Sequence, residues 1–269
     1  MDLDFNRDGM IMKIGFISDL HTLHNKWYDN LQYNHWGWEI FDEWNNLDIL
    51  IFAGDCTNRG SRIDAQEFMR WFDKQPAKEK VMIPGNHDFF FDVEFRSKDY
   101  RHDWEDTPEK EINDMLLEFP NIHYLNDSGV ELFGLKIWGS PITPWFHNWA
   151  FNRTRNTGYD LTFKHDVSDG IKKHWDLIPY YTDILITHGP PFGHGDLLEP
   201  RFRRNGEERV GCIDLMNKIK EIKPKINVFG HIHEGYGVTE EDGTTFINAS
   251  CLNENYRPVN PPVIIDLEV

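Results

Sequence analysis

Residues 228–237 read VFGHIHEGYG: an apolar run that stops at a glycine, then two histidines one residue apart, then two further glycines. In an extended segment, side chains at i and i+2 share a face, so His231 and His233 project together while Ile232 turns away. Their Cα atoms would lie roughly 6.5–7 Å apart. That spacing suits two neighbouring metal ions at least as well as one. Alone, the pair also reads as two surface histidines in a turn, so the rest of the chain has to decide.

Four other apolar runs end in the same way. MKIGFIS (12–18) stops at Asp19, with His21 two residues on. DILIFAG (48–54) stops at Asp55, and KVMIPG (80–85) stops at Asn86, followed by His87 and Asp88. DILIT (183–187) stops at His188. Each run has the length and composition of a buried strand. Helical patterns lie between them, over 61–73, 108–119 and 211–222. This alternation favours a largely parallel sheet covered on both faces, with its sites beyond the carboxyl ends of the strands. Five strands delivering Asp, His and Asn to one edge are hard to explain as packing. Buried carboxylates and imidazoles without partners are costly.

Toward the C-terminus, GYGVTE, GTTFINAS and PPVIIDLEV suggest short strands at hairpin spacing around Asp242-Gly243. SGVELFGLKIWGS (128–140) suggests another hairpin with its turn near Gly134. The expected architecture is α/β, a four-layer αββα sandwich of two mixed β-sheets flanked by helices. Residues 12–269 read as a single domain, after a short polar tail or extension over residues 1–11. Residues 140–165 lack periodicity but carry Trp145, Phe146 and Trp149, which favours an ordered lid or pocket wall.

The chain has 269 residues, enough to bury a substantial core. Its net charge of −17 argues against capture of nucleic acid through phosphates. No apolar stretch approaches a membrane span, and the acidic N-terminus does not read as an export signal. Three cysteines without CxxC spacing do not make a disulfide framework, so a reducing cytoplasm is the expected compartment. A homo-oligomer is left open.

The donor set is nitrogen and oxygen without thiolate. It suits manganese first, with iron, zinc or nickel as alternatives. Seven side chains are too many for one tetrahedral ion but suit two ions sharing a carboxylate, and Asp55 is the natural bridge. His87 follows Asn86 closely enough to reach a substrate phosphate without being consumed as a ligand. It could protonate a leaving alkoxide. Asp88 is expected to accept a hydrogen bond from the His87 ring and fix its tautomer.

SDLH (18–21), AGD (53–55), GNHD (85–88), THGPP (187–191) and GHIH (230–233) appear in the order found in calcineurin-like metallophosphoesterases, which the chain resembles over most of residues 12–269. The resemblance implies the αββα fold and a di-metal hydrolase. It also implies a division of ligands. Asp19, His21, Asp55 and His233 would hold one metal, and Asp55, Asn86, His188 and His231 the other. IWGSPITPWF (137–146), INAS and NPPVIIDL look like the metallophosphoesterase domain-containing (MPPED-type) subgroup, which is associated with hydrolysis of phosphodiesters, including cyclic nucleotides. Some members replace the first histidine of GHIH with glycine; here His231 is present. The expected activity is a phosphodiesterase acting on small diesters by in-line attack of a metal-bridging hydroxide. A phosphomonoesterase or nuclease on the same site, or a nucleotide-binding sensor, are the alternatives.

For the substrate, a small phosphodiester or nucleotide, Trp145, Phe146, Trp149 and Phe192 are candidate stacking surfaces, with core or lid packing as the alternative for most of them. Arg153 is a candidate for a phosphate, with His194 lining the pocket. His24, close after His21, reads as a loop histidine.

Overall fold

The computed structural model describes residues 9–33, 35–97, 107–156, 170–203 and 208–269. Residues 1–8 of the expected tail and 157–165 of the aperiodic stretch lie outside the described residues. In chain order the strands are β1 (Ile11–Ile17), β2 (Ile49–Ala53), β3 (Glu79–Ile83), β4 (Ile122–Tyr124), β5 (Ser128–Leu132), β6 (Leu135–Ser140), β7 (Thr143–Pro144), β8 (Asn152–Arg153), β9 (Ile184–Thr187), β10 (Ile226–Phe229), β11 (Gly237–Glu241), β12 (Thr244–Asn248) and β13 (Val263–Glu268). The helices are α1 (His24–Gln32), α2 (Trp38–Trp44), α3 (Arg62–Asp73), α4 (Val93–Ser97), α5 (Pro108–Leu117), α6 (Lys172–Trp175) and α7 (Ile213–Ile222).

Two mixed sheets form. One has the order β13-β1-β2-β3-β4, and the other β11-β12-β10-β9-β6-β5; β7 and β8 pair separately. β1, β2, β3 and β4 run parallel to their neighbours, and β13 closes the first sheet antiparallel to β1. β6, β9, β10 and β12 are likewise parallel, with antiparallel β5 and β11 at the edges. β1 begins at Ile11, which already pairs with Glu268. It therefore starts one residue inside the expected tail.

The alternation of side chains along each strand builds the layers. Ile49, Ile51 and Ala53 of β2 join Ile14, Phe16, Val81 and Ile83 in a core shared with Ile137, Ile184, Ile186, Ile226, Val228 and Ile247 of the other sheet. The alternate residues Leu50 and Phe52 face outward. Phe52 meets Phe68 of α3 at 4.5 Å between ring centroids and Phe72 at 6.0 Å. Each such fully buried apolar side chain contributes about 1.5–3 kcal/mol.

Helix α3 forms because Ser61 caps it, accepting from the Asp64 N–H at 3.1 Å, and because Ala65, Phe68, Met69 and Phe72 recur on one face. α5 starts at Pro108 under a Thr107 cap and ends at Leu117, two residues short of the expected stop. α7 buries Leu215, Met216, Ile219 and Ile222 and terminates where Lys223 turns left-handed at φ 50°.

Candidate metal centre

The loops after β1, β2, β3, β9 and β10 leave the carboxyl edges of both sheets and converge. Asp19, His21 and His233 form one group, and Asp55, His188 and His231 a second; in each, one ligating atom per residue lies within 4.8 Å of the others. His21, Asp55 and His87 form a third such group at the seam between them. Asn86 joins the second group, with its Oδ1 3.0 Å from His188 Nε2. All seven expected ligands are thus brought together.

The backbone is bent to achieve this. Asp19, His21, Asp55 and His231 have φ of 52°, 40°, 61° and 66°, in the left-handed region that non-glycine residues seldom occupy. Such conformations persist only where surrounding contacts enforce them. Asp19 is held by N–H groups and hydroxyls: its carboxylate accepts from the His231 N–H at 3.0 and 3.1 Å and from Ser250 Oγ at 3.0 Å. Asp55 Oδ1 accepts from the His87 N–H at 2.8 Å. Glycines make the close approach feasible. A Cβ on Gly230 would stand 1.9 Å from Asp19 Oδ2, and one on Gly85 would stand 2.3 Å from Asp55 Oδ1.

Ring orientation tests whether these residues suit a cation. His188 Nδ1 is 2.9 Å from the Ala53 carbonyl oxygen, and His233 Nδ1 is 3.0 Å from that of Asn253. A carbonyl only accepts, so both Nδ1 atoms carry the proton. The Nε2 lone pair of neutral His188 then faces two acceptors, Asp55 Oδ2 at 3.2 Å and Asn86 Oδ1 at 3.0 Å. That of His233 faces the acceptor Asp19 Oδ1 at 3.3 Å, with the His21 ring beside it. Lone pairs aimed at lone pairs require a positive charge between them, either a proton or a metal ion. The donor set therefore fits divalent cations, with backbone carbonyls fixing the tautomer from behind.

The electrostatics follow. Burial alone would lower the His188 imidazole, but the Asp55 carboxylate outweighs it and raises it to about 9. Burial would likewise raise the Asp55 and Asp19 carboxyls. Neighbouring imidazoles, His188 and His87 for Asp55 and His233 for Asp19, instead hold both below the usual carboxylate range. Burial pushes His21 down to about 4 and, aided by His188, pushes His231 down to about 3, so both stand neutral and ready to ligate.

His87 borders the clusters, its ring 4.7 Å from His21 and 4.3 Å from Trp149. Asp88 is not its partner, contrary to expectation. His87 Nδ1 lies 2.8 Å from the Asn58 carbonyl oxygen. Asp88 is fully buried and turned inward, accepting from the N–H groups of Thr57 and Gly85 at 2.8 Å each and Cys56 at 3.1 Å, and from Thr57 Oγ1 at 2.8 Å. A carboxylate one residue from His87 binds the donors of two adjoining loops because they are closer and more numerous than a single imidazole.

Of the expected substrate residues, Phe146 borders the site at 5.3 Å from His231. Arg153 is directed to Glu94 at 2.5 Å rather than to the clusters. His194 stacks on Phe246 at 3.7 Å and bonds Thr239 and Glu241 of β11, which accounts for both ring nitrogens. Trp145 is half-buried, donating its backbone N–H to Arg153 at 2.8 Å, and Phe192 is 40% exposed. His24 opens α1 and is buried against Phe68 and Trp71, a core residue rather than a loop histidine. Tyr256, which no motif or periodicity singles out, also borders the site, its ring 5.0 Å from both His21 and His233. Its only signal is an aromatic residue in the turn-rich stretch NENYRPVNPP.

Comparison with known proteins agrees with this geometry. The model of the calcineurin-like phosphoesterase family matches residues 12–235. Human metallophosphoesterase domain-containing protein 1 is 40% identical over 228 residues, covering 82% of this chain and 64% of that protein. The Caenorhabditis elegans UPF0046 protein T07D4.2 is 37% identical over 238 residues, covering 82% of this chain and 55% of that protein. The chain thus spans less than two thirds of the length of either relative. Among solved structures, the phosphopantetheinyl hydrolase of Mycobacterium tuberculosis superposes with a TM-score of 0.54 at 16% identity, covering 94% of this chain and 95% of that one. TT1561 of Thermus thermophilus also gives 0.54, at 13% identity over 89% of each chain; both likenesses concern the fold. Sequence, fold and the convergence of seven donors from the carboxyl edges of both sheets agree: the chain belongs to the calcineurin-like phosphoesterase family.

Proposed function

We propose that the protein is a di-metal-dependent phosphodiesterase acting on small, nucleotide-like diesters, with Mn²⁺ as the working ion. The observation that carries the reading is the pair of anchored imidazoles, His188 and His233, whose Nε2 atoms face carboxylate or amide oxygens at 3.0–3.3 Å. Asp19, His21, Asp55 and His233 would hold one ion, and Asp55, Asn86, His188 and His231 the other. Such ions would supply Lewis acidity toward the phosphoryl oxygens and a water-derived nucleophile at neutral pH.

The chain's own contribution centres on His87. Its Nδ1–H is committed to the Asn58 carbonyl, leaving Nε2 to carry the proton that moves. As a hydroxide oxygen, its water's proton already released to solvent, bonds to phosphorus and the ester P–O bond breaks, His87 would pass its Nε2 proton to the departing oxygen and regain one from solvent afterwards. Trp149 backs the ring, which restricts its rotation. A diester is favoured over a monoester by charge. Arg153 is directed to Glu94 and Arg155 to the carbonyls of Val210 and Gly211 at 2.6–2.8 Å. These contacts engage both guanidinium groups with the protein's own acceptors, which suits a singly charged diester better than a monoester dianion.

We place the protein in the cytoplasm, acting on small molecules as a single domain over residues 12–269. Among the described residues, no helix is long and apolar enough to cross a membrane. The test is turnover by metal-stripped protein reloaded with Mn²⁺, Fe²⁺, Zn²⁺ or Ni²⁺, against bis(p-nitrophenyl) phosphate, p-nitrophenyl phosphate and cyclic nucleotides. Diester turnover exceeding monoester turnover is expected. Turnover of monoesters alone would sink the diesterase reading, and tight nucleotide binding without turnover would favour a sensor.

A further inference from the structure

A half-exposed aromatic ring stands beside each cluster of ligands. Phe146, 40% exposed, lies against His231 of the second cluster. Tyr256, 48% exposed, lies against His21 and His233 of the first. Trp149 is engaged differently, since its ring is spent on His87 with Phe89 5.5 Å away.

Tyr256 is held in place by a built turn. The Asn253 side-chain oxygen accepts from the N–H groups of Asn255 and Arg257 at 3.0 Å each. The Asn253 carbonyl accepts from the Tyr256 N–H at 2.8 Å and, on the same oxygen, from His233. Arg201 braces the turn from outside through Glu254 at 3.5 Å and Asn255 at 3.4 Å. Within it Tyr256 adopts φ of 56°, which a bulky residue occupies only when its surroundings enforce it. The turn that sets the His233 tautomer thus also projects an aromatic ring over the first cluster.

We propose that Tyr256 and Phe146 are the specificity-determining walls of the site, Tyr256 receiving the leaving-group substituent and Phe146 the substituent that stays on phosphorus. This assignment rests on the diester reading above. A diester carries two substituents, and the site offers one aromatic face beside each cluster. Direction comes from His87. Its ring and that of Tyr256 both lie against His21, at 4.7 and 5.0 Å, so the group protonated by His87 leaves along the Tyr256 side. Planar aromatic or heteroaromatic substituents, nucleobases among them, match both walls. Removing one aromatic contact costs about two- to tenfold in binding.

The experiment compares methyl p-nitrophenyl phosphate with phenyl p-nitrophenyl phosphate on the Mn²⁺-loaded protein, with bound metal measured for every variant. The two share a leaving group and differ in the substituent retained. Phe146→Ala is expected to lower the phenyl-over-methyl ratio of kcat/KM about two- to tenfold. Tyr256→Ala is expected to lower kcat/KM on both substrates while leaving that ratio unchanged, and Tyr256→Phe to restore the rate. A ratio moved by Tyr256→Ala and not by Phe146→Ala overturns the assignment, as does insensitivity of both substrates to both variants. Wild-type protein inert to both diesters yet active on p-nitrophenyl phosphate would instead overturn the diester reading. In that case calorimetric binding of diphenyl against dimethyl phosphate still reads the walls: each variant loses the preference if they exist, and both retain it if they do not.

Discussion

Replacing Asp88 with asparagine separates two roles for the carboxylate that follows His87. As built, Asp88 Oδ2 accepts from the N–H groups of Cys56 and Gly85, and Oδ1 from the N–H and hydroxyl of Thr57. An amide keeps one acceptor oxygen and places an NH₂ against donors on the other side. Two hydrogen bonds to a charged acceptor are lost in full burial, at about 1.5–3 kcal/mol each. The opposing effect is electrostatic. Burial and the nearby Asp55 charge raise the Asp88 carboxyl above its usual range, so neutralising it relieves some repulsion. The net loss is about 2–4 kcal/mol, a large part of the stability of an ordinary domain. Urea unfolding of the metal-loaded protein should show the midpoint falling by about 1 M, for an m of about 3 kcal/mol/M. The residual kcat at low urea should keep its pH profile, because the His87 ring is held by Asn58. An unchanged midpoint together with a displaced pH profile would refute this account and restore Asp88 as the partner of His87.

His87→Gln should lower kcat on diesters by about 10²–10⁴-fold, with two metal ions still bound per chain by elemental analysis; loss of an ion would make His87 a ligand instead. Gly230→Ala should abolish binding of the metal held by Asp19, since its Cβ would meet Asp19 Oδ2 at 1.9 Å and Ser18 Oγ at 2.1 Å; normal two-ion occupancy would show that the loop shifts freely. In the metal-free protein His188 is raised to about 9, so its stabilising proton is fully present below the unfolded value near 6.5 and is lost as pH rises through about 9. Metal must displace that proton. Affinity should therefore climb across this window, and binding at about pH 7 should release protons, read as a dependence of calorimetric enthalpy on buffer ionisation heat; no release would contradict the assignment.

The convergence of the donors was legible because each follows a strand whose apolar pattern is local, and parallel strands carry their ends to the same end of the fold; that the ends belong to two sheets was not. Asp19, Asp55, Asn86, His188 and His231 needed only that rule. What the sequence concealed was the destination of side chains whose partners are remote or carry no signature. His87 is oriented by the Asn58 main-chain oxygen, an acceptor every residue possesses. Arg153 meets Glu94 and His194 meets Glu241, pairings set by how loops and an edge strand pack. Tyr256 reaches the site through a left-handed turn that no periodicity announces.

The clusters straddle the joint between the two sheets. Asp19, His21, Asp55 and Asn86 follow β1, β2 and β3 of one sheet, whereas His188, His231 and His233 follow β9 and β10 of the other. Apolar side chains glue the sheets along their length; at this end the fasteners are charges. In the metal-free chain one such fastener is the pairing of His188 with Asp55 at 3.2 Å, where a divalent ion would take the place of a proton. Proton and metal thus serve as interchangeable rivets in one seam. On the di-metal reading, loading or removing an ion would change how tightly the two sheets are fastened at this end while leaving the apolar contacts along their length in place.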